Sequence, residues 1–311
     1  MGGENSKKSG EIGEKIAEEL FNLIGWKTLD KGFNVKCIKD NEHSSQEGKK
    51  RTVHGIDFYF NYKCPLSDRV QENVIISVKN RMSYPSSERA KRTKTKEFLR
   101  DLSQAIECFV KSEKYSENKM DGLKQIDNTG VLFWINSDED KNDEIIKDIA
   151  DMQITANDIK FPMYVVDNKV ANFLFQSIEY AKKFFDDGQV RFLYPSTGYN
   201  NSNYDKKSCG EVLPVQYINS HIIPFKVENR NMLIITSMDG FNKEELPRLI
   251  ALTQDLTNSW GDKIILAYPD YDSSKHKDDV TWAKRKFQDN KFIERIEIAS
   301  YGQDFRNLKE V

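Results

Sequence analysis

Two acids, a serine and a lysine carry the residue types and spacing for chemistry. Asp57 lies in the run HGIDFYF, Ser77 and Lys79 lie in VIISVKNR, and Glu14 lies in GEIGEKIAEEL. Ser77 and Lys79 are two apart, so on a strand they point to the same face. If the two runs pair as a hairpin, Asp57 sits beside them, and a preceding helix can bring Glu14 to the same point. Phosphodiester hydrolysis needs such a set. Carboxylates hold one or two magnesium ions, which polarise the phosphate and lower the pKa of the attacking water. A lysine beside them orients that water and stabilises the developing charge. The plain alternatives are a cross-strand salt bridge between Asp57 and Lys79 and a solvated helix position for Glu14.

The elements that must position these residues follow from periodicity. Ile12, Ile16, Leu20, Leu23 and Ile24 make one apolar stripe, which predicts a helix over residues 12–25 that ends at Gly25. FNVKCI, GIDFYFNY and NVIISVKN read as strands, with a polar loop between the first two. The basic run SYPSSERAKRTKTK follows, then a helix through EFLRDLSQAIECFVKSEKY with Phe98, Leu102, Ile106 and Phe109 on one face. Strand GVLFWINS, helix DEIIKDIADM, strand PMYVVD, helix ANFLFQSIEYAKKFF and the closing strand VRFLYP complete the region. The expected architecture over residues 1–196 is a mixed sheet flanked by helices. Residues 196–211, rich in Ser, Asn and Gly, read as a linker. Residues 211–311 alternate strand and helix and predict a smaller α/β domain.

The 311-residue chain has a net charge of -2, which excludes a uniformly basic nucleic-acid binder, so any such site must be a local basic patch. No apolar run approaches the roughly 18 to 20 residues of a membrane span, and the opening residues lack the apolar core of a signal peptide. A cytoplasmic protein without membrane contact is expected. Cys37, Cys64, Cys108 and Cys209 are far apart with no CxxC pair, which argues against structural zinc and for free thiols in a reducing compartment. His54, three residues before Asp57, could ligate a metal or support a ligand, but a lone histidine reads more simply as neither. His221 and His276 have no motif support.

The ordered set GEIGEKIAEELFNLIGW, GIDFYF and IISVKNR resembles the PD-(D/E)xK nuclease superfamily. The likeness is strongest to Mrr-like and resolvase-like branches, whose opening helix reads G-E-x-x-A with a later G-W or G-Y. Gly13, Glu14 and Ala17, then Gly25 and Trp26, match here. The resemblance implies a restriction-endonuclease-like core, magnesium (or manganese) held by Asp57 and Glu14, and Lys79 acting on the water. The family expects an acid where Ser77 stands, and serine cannot supply the charge a magnesium site wants. Two readings follow. The acid has migrated to the next helix, with Glu97 the leading substitute and Asp101 and Glu107 behind it. Alternatively the site is dead and the domain only binds nucleic acid. The presence of Asp57, Lys79 and Glu14 together favours activity. The resemblance also implies a bacterial defence nuclease that cuts DNA rather than RNA. It would be an endonuclease rather than an exonuclease, working with a partner subunit or as a homo-oligomer.

Arg89, Lys91, Arg92, Lys94 and Lys96 directly follow the lysine strand, where a phosphate backbone would pass. Lys49, Lys50 and Arg51 form a second basic cluster before Asp57, and Arg81 could touch phosphate or close a salt bridge. The resemblance also places a glutamine such as Gln104 along the site. The C-terminal region has no GxGxxG and no GKS or GKT, so it reads as a docking or sensing module rather than a nucleotide site.

Overall fold

The computed structural model describes residues 2–43, 50–137, 143–155, 159–201, 207–257 and 260–302. It divides into two compact units. The first comprises Met1–Asn172, Gly198–Asn203 and Pro214–Asn219, and the second Phe173–Thr197, Tyr204–Leu213 and Ser220–Val311.

The first unit runs α1 (Gly2–Leu23), β1 (Asp30–Lys36), β2 (Val53–Lys63), β3 (Val70–Arg81), α2 (Glu88–Phe109), α3 (Glu113–Glu117), β4 (Gln125–Asn136), α4 (Ile146–Ile149) and β5 (Met163–Val166). Its sheet has the order β1-β2-β3-β4-β5. β1, β2 and β3 form an antiparallel meander, and β3, β4 and β5 run parallel. A parallel neighbour requires a crossover, and α2 supplies the one from β3 to β4. This is the mixed sheet flanked by helices that the resemblance implies.

The two faces of this sheet are covered by different helices. On one, Phe21 of α1 meets Phe58 and Phe133 edge-on at 5.7 and 5.5 Å, and Trp26 stacks on Phe60 at 5.8 Å. Burying each such phenylalanine contributes about 2–3 kcal/mol. α1 stops where expected. Gly25 has φ 81°, Trp26 N–H reaches back to the Phe21 carbonyl at 2.8 Å, and the Trp26 ring stacks on Phe21 at 5.6 Å. That is a Schellman ending with its apolar contact. On the other face Leu102, Ala105, Ile106 and Phe109 of α2 pack on Val35, Ile56, Tyr59 and Ile75. Phe98 and Leu99 pack on Leu132, Trp134 and Val165.

Three local expectations are corrected. Ile12 and Ile16 are 48% and 47% exposed, and the buried face of α1 is Gly13, Ala17, Leu20, Phe21 and Ile24. Small residues let the helix approach the sheet, which hydropathy alone does not register. α2 begins at Glu88 rather than at the expected Glu97, so the basic residues Arg89 to Lys96 lie on its first turns. Ser87 caps it, accepting from the Ala90 amide at 3.2 Å. Predicted helix DEIIKDIADM also shrinks to the single turn of α4.

The division between the units falls within α5 (Asn168–Lys182). The second unit continues with β6 (Phe192–Leu193), β7 (Cys209–Gly210), β8 (Ile222–Val227), β9 (Met232–Ser237), α6 (Leu246–Thr257), β10 (Lys263–Tyr268), α7 (Ser273–Lys284), α8 (Asn290–Glu294) and β11 (Ile296–Ser300). Its sheet has the order β11-β10-β9-β8-β6-β7, with β9, β10 and β11 parallel. Leu233, Ile235, Ile250, Ile264 and Leu266 centre its core. The VRFLYP strand, expected to close the first region, pairs instead with β8 through Phe192–Phe225 and with β7. This pairing carries residues 173–197 into the second unit, ahead of the expected boundary at 196. Among the described residues no helix is long and apolar enough to cross a membrane.

Candidate active site

The site begins where the β2–β3 ladder ends. Its last registered pair is Phe58–Ile76, and one step further Asp57 comes opposite Ser77. There the Val78 amide donates to Asp57 Oδ2 at 2.6 Å, and Ser77 Oγ donates to the same oxygen at 3.3 Å. Strand alternation also breaks here. Ile56 and Tyr59 pack in one cluster, although an odd separation should put them on opposite faces. Lys79 Nζ lies 3.9 Å from Asp57 Oδ2, and the two side chains are 34% and 27% exposed, so the pair is open to solvent. The Phe98 ring of α2, its centroid 5.8 Å from Lys79 Nζ, closes one side.

Glu14 reaches this point because of the residue before it. A Cβ on Gly13 would stand 2.3 Å from the Asn80 Cβ. Only glycine lets α1 lie this close to β3, one residue past Lys79. Glu14 is exposed overall, but partial desolvation of its carboxyl, and next the Asp57 charge, hold it above its ordinary pKa, with Lys79 pulling the other way. Its electrostatics thus couple it to both partners. Two of the proposed substitute acids are engaged elsewhere. Asp101 pairs with Arg51 at 3.3 Å. Glu107 pairs with Lys39, with Lys160 at 2.9 Å and with His43 at 3.2 Å. Burial opposes the Glu107 charge, but hydrogen bonds from Lys39, Lys160 and His43 outweigh it and hold the carboxyl at about 2. Glu97 accepts from Lys94 at 2.7 Å and stands one residue before Phe98.

The basic residues differ in exposure and in their contacts. Lys91 donates to Asp148 Oδ2 at 2.6 Å, and Arg92 donates to the Asp148 carbonyl at 2.7 Å and pairs with Glu88 and Asp151. These contacts tie α2 to the α4 turn. Arg89 and Arg81 are exposed, and Lys96 is half-buried. Lys50 is exposed and donates to Asn41 at 2.6 Å. Lys49 lies outside the described residues. Gln104, on the α2 stripe two turns past Glu97, has its side-chain oxygen buried with no partner among the described residues. Sequence reasoning missed two contributors, the close-packed Gly13–Asn80 contact and the Phe98 cover. The G-E pair was the available signal for the first, and nothing marked the second.

No curated protein and no solved structure matches the chain. One family model does, described as the GAPS4 protein PD-(D/E)XK nuclease domain, and it spans residues 1–170. The match takes in Glu14, Asp57, Ser77 and Lys79, and it covers more than half of the chain. The chain belongs to the GAPS4 protein PD-(D/E)XK nuclease domain family.

Proposed function

We propose that the chain is a magnesium- or manganese-dependent endonuclease that hydrolyses DNA, built on Asp57, Lys79 and Glu14. The observation that carries this reading is the Asp57 carboxylate, fixed by the Val78 amide at 2.6 Å and facing the Lys79 ammonium at 3.9 Å. An ordinary structural ion pair has no need of a third, destabilised acid, yet Glu14 is drawn in with its carboxyl held above its usual range by burial and Asp57. Two carboxylates that feel each other's charge fit a hard divalent cation, which takes oxygen donors and relieves their repulsion. Such an ion, held by Asp57 and Glu14, would supply Lewis-acid polarisation of the phosphate and a lower water pKa. The chain's own residues do the rest. The Val78 amide and Ser77 hydroxyl fix the Asp57 rotamer, Lys79 orients the nucleophile and stabilises charge building on the phosphate, and Phe98 limits solvent on one side of the lysine.

Glu97 is the acid that can replace the one missing at Ser77, once released from Lys94. Arg81, Arg89 and Lys50 are the exposed cations best disposed to hold a phosphate backbone, with Lys91, Arg92, Lys94, Lys96 and Arg51 contributing after exchange of their present partners. Family membership supports a role in defence against phage or foreign DNA, in the cytoplasm, with a partner subunit or as a homo-oligomer. The second unit would then serve as the docking or sensing module.

Ser77 favours one rival, a nuclease-fold subunit that grips nucleic acid without cutting it. Incubation of the full chain with plasmid DNA, linear DNA and RNA in magnesium or manganese separates the two. Cleavage of DNA that is lost in Lys79→Ala, and weakened in Glu97→Gln, is the expected outcome. Binding without cleavage by the wild type under every condition leaves the rival.

A further inference from the structure

Four buried side chains form a group that the hydrolytic reading does not use. Cys37 follows β1, His43 lies between β1 and β2, His54 is near the start of β2, and Cys108 is in the last turn of α2. They are 7%, 4%, 1% and 1% exposed. Their donor atoms all lie within 4.8 Å of one another. His43 Nδ1 is 3.2 Å from His54 Nε2, 3.4 Å from Cys37 Sγ and 3.5 Å from Cys108 Sγ, and the two sulfurs are 4.0 Å apart.

We propose that Cys37, His43, His54 and Cys108 hold one structural zinc ion in a closed tetrahedral site. Zinc bonds of roughly 2.3 Å to sulfur and 2.0 Å to nitrogen give tetrahedron edges of about 3.3 Å (N–N), 3.5 Å (N–S) and 3.8 Å (S–S). Four edges, the three at His43 Nδ1 and the one between the sulfurs, match these within a few tenths of an ångström, and the two from His54 to the sulfurs lie within 4.8 Å. Hydrogen bonding alone does not account for them. A ring nitrogen carries either one proton or one lone pair in its plane, so His43 Nδ1 cannot serve three partners at once. A shared ion at the centre can. Two thiolates and two imidazoles are the donor set zinc favours and magnesium does not.

The other nitrogen of His43 supports the assignment. His43 Nε2 lies 3.2 Å from Glu107 Oε2, the carboxylate–histidine contact that fixes tautomer and ring orientation in zinc sites. Lys39 and Lys160 hold that carboxylate in turn. The ion would tie β1, β2 and α2 together. His54 is three residues before Asp57, and α2 carries the Phe98 ring that faces Lys79. The lack of a CxxC pair, which argued against zinc, does not apply when four separate positions converge.

The test is the metal content of the full chain purified without chelators, by elemental analysis and by release of zinc to a chromogenic indicator on thiol modification. One zinc per chain is expected. Cys37→Ser and Cys108→Ser should reduce it to background, while Cys64→Ser and Cys209→Ser should retain it. Glu107→Gln should keep the stoichiometry at saturating zinc but weaken affinity about 10- to 100-fold. If the cysteine variants fail to fold, cobalt-substituted wild type should show the visible bands of tetrahedral cobalt with thiolate ligands. Wild type without zinc above the level of the cysteine variants, octahedral cobalt spectra, or a Cys37–Cys108 disulfide in the purified chain would overturn the assignment.

Discussion

Asp57 and His54 stand three residues apart on one strand, yet their surroundings are built on opposite principles. Around Asp57 the side chains are partly exposed, the ion pair to Lys79 is long at 3.9 Å, and the Glu14 carboxyl is pushed above its ordinary pKa. Around His54 every donor is buried and the donor atoms all lie within 4.8 Å of one another. The first arrangement leaves room for a substrate and stores electrostatic tension. The second leaves room for nothing larger than an ion. A site that turns over substrate needs an open side, whereas a site that braces the fold is better closed. On the zinc assignment, the closed end of β2 would anchor its open end.

The comparison can be sharpened by breaking each half in turn. The largest effect is expected at the closed end. Cys108→Ser, or exhaustive chelation of wild type, should destabilise the first unit by about 3–5 kcal/mol, read as a lowered thermal or denaturant midpoint. A variant as stable as wild type would remove the bracing role. Next is the contact that seats α1. Gly13→Ala gains helix propensity of up to about 1 kcal/mol but drives a methyl into Asn80, at a cost of about 1–3 kcal/mol. Displacement of Glu14 should lower cleavage by roughly 100-fold, far more than the change in melting temperature suggests.

Glu14 itself tests the tension at the open end. Its folded pKa lies above the ordinary 4.5, so the folded state holds its proton longer than the unfolded chain. The stability this contributes is complete below 4.5 and is lost as pH rises through the raised value. Glu14→Gln should thus match wild type at low pH and slightly exceed it at neutral pH, by less than about 1 kcal/mol for so exposed a group, while cleavage falls. Lower stability of Glu14→Gln at neutral pH would contradict the tension. The smallest effect is expected from Ser77→Ala. Its hydroxyl gives Asp57 only a 3.3 Å bond beside the 2.6 Å bond from Val78, so activity should change less than about tenfold. A hundredfold loss would give Ser77 a direct part in the reaction.

The two ends were unequally legible in the sequence. Ser77 and Lys79 sit two apart on one strand, where a period of two fixes their face, and the adjacent β2 brings Asp57 to them once the hairpin forms. The end of α1 was equally local, with Gly25 supplying the positive φ of 81°. The buried face of α1 was misread because Gly13 and Ala17 matter for their lack of bulk, while Ile12 and Ile16 remain exposed. The start of α2 was hidden for a related reason. Its first two turns carry little apolar surface and are held by the Ser87 cap and by ion pairs to Asp148 and Asp151. The Cys/His cluster was least legible, since its members span residues 37 to 108 and meet only once α2 packs on the meander. The VRFLYP strand read correctly as a strand, but its partner was a tertiary choice that local pattern does not encode.

The most direct test is single-turnover cleavage of DNA by the full chain with magnesium or manganese, wild type against Asp57→Asn, alongside the affinity of each for the same DNA and its melting temperature. The substitution keeps shape and removes the charge. Loss of cleavage by about 100- to 1,000-fold, with binding and stability retained, is the predicted result. Equal cleavage by Asp57→Asn, or wild type that binds DNA and never cuts it, would contradict the assignment of this site as the hydrolytic centre.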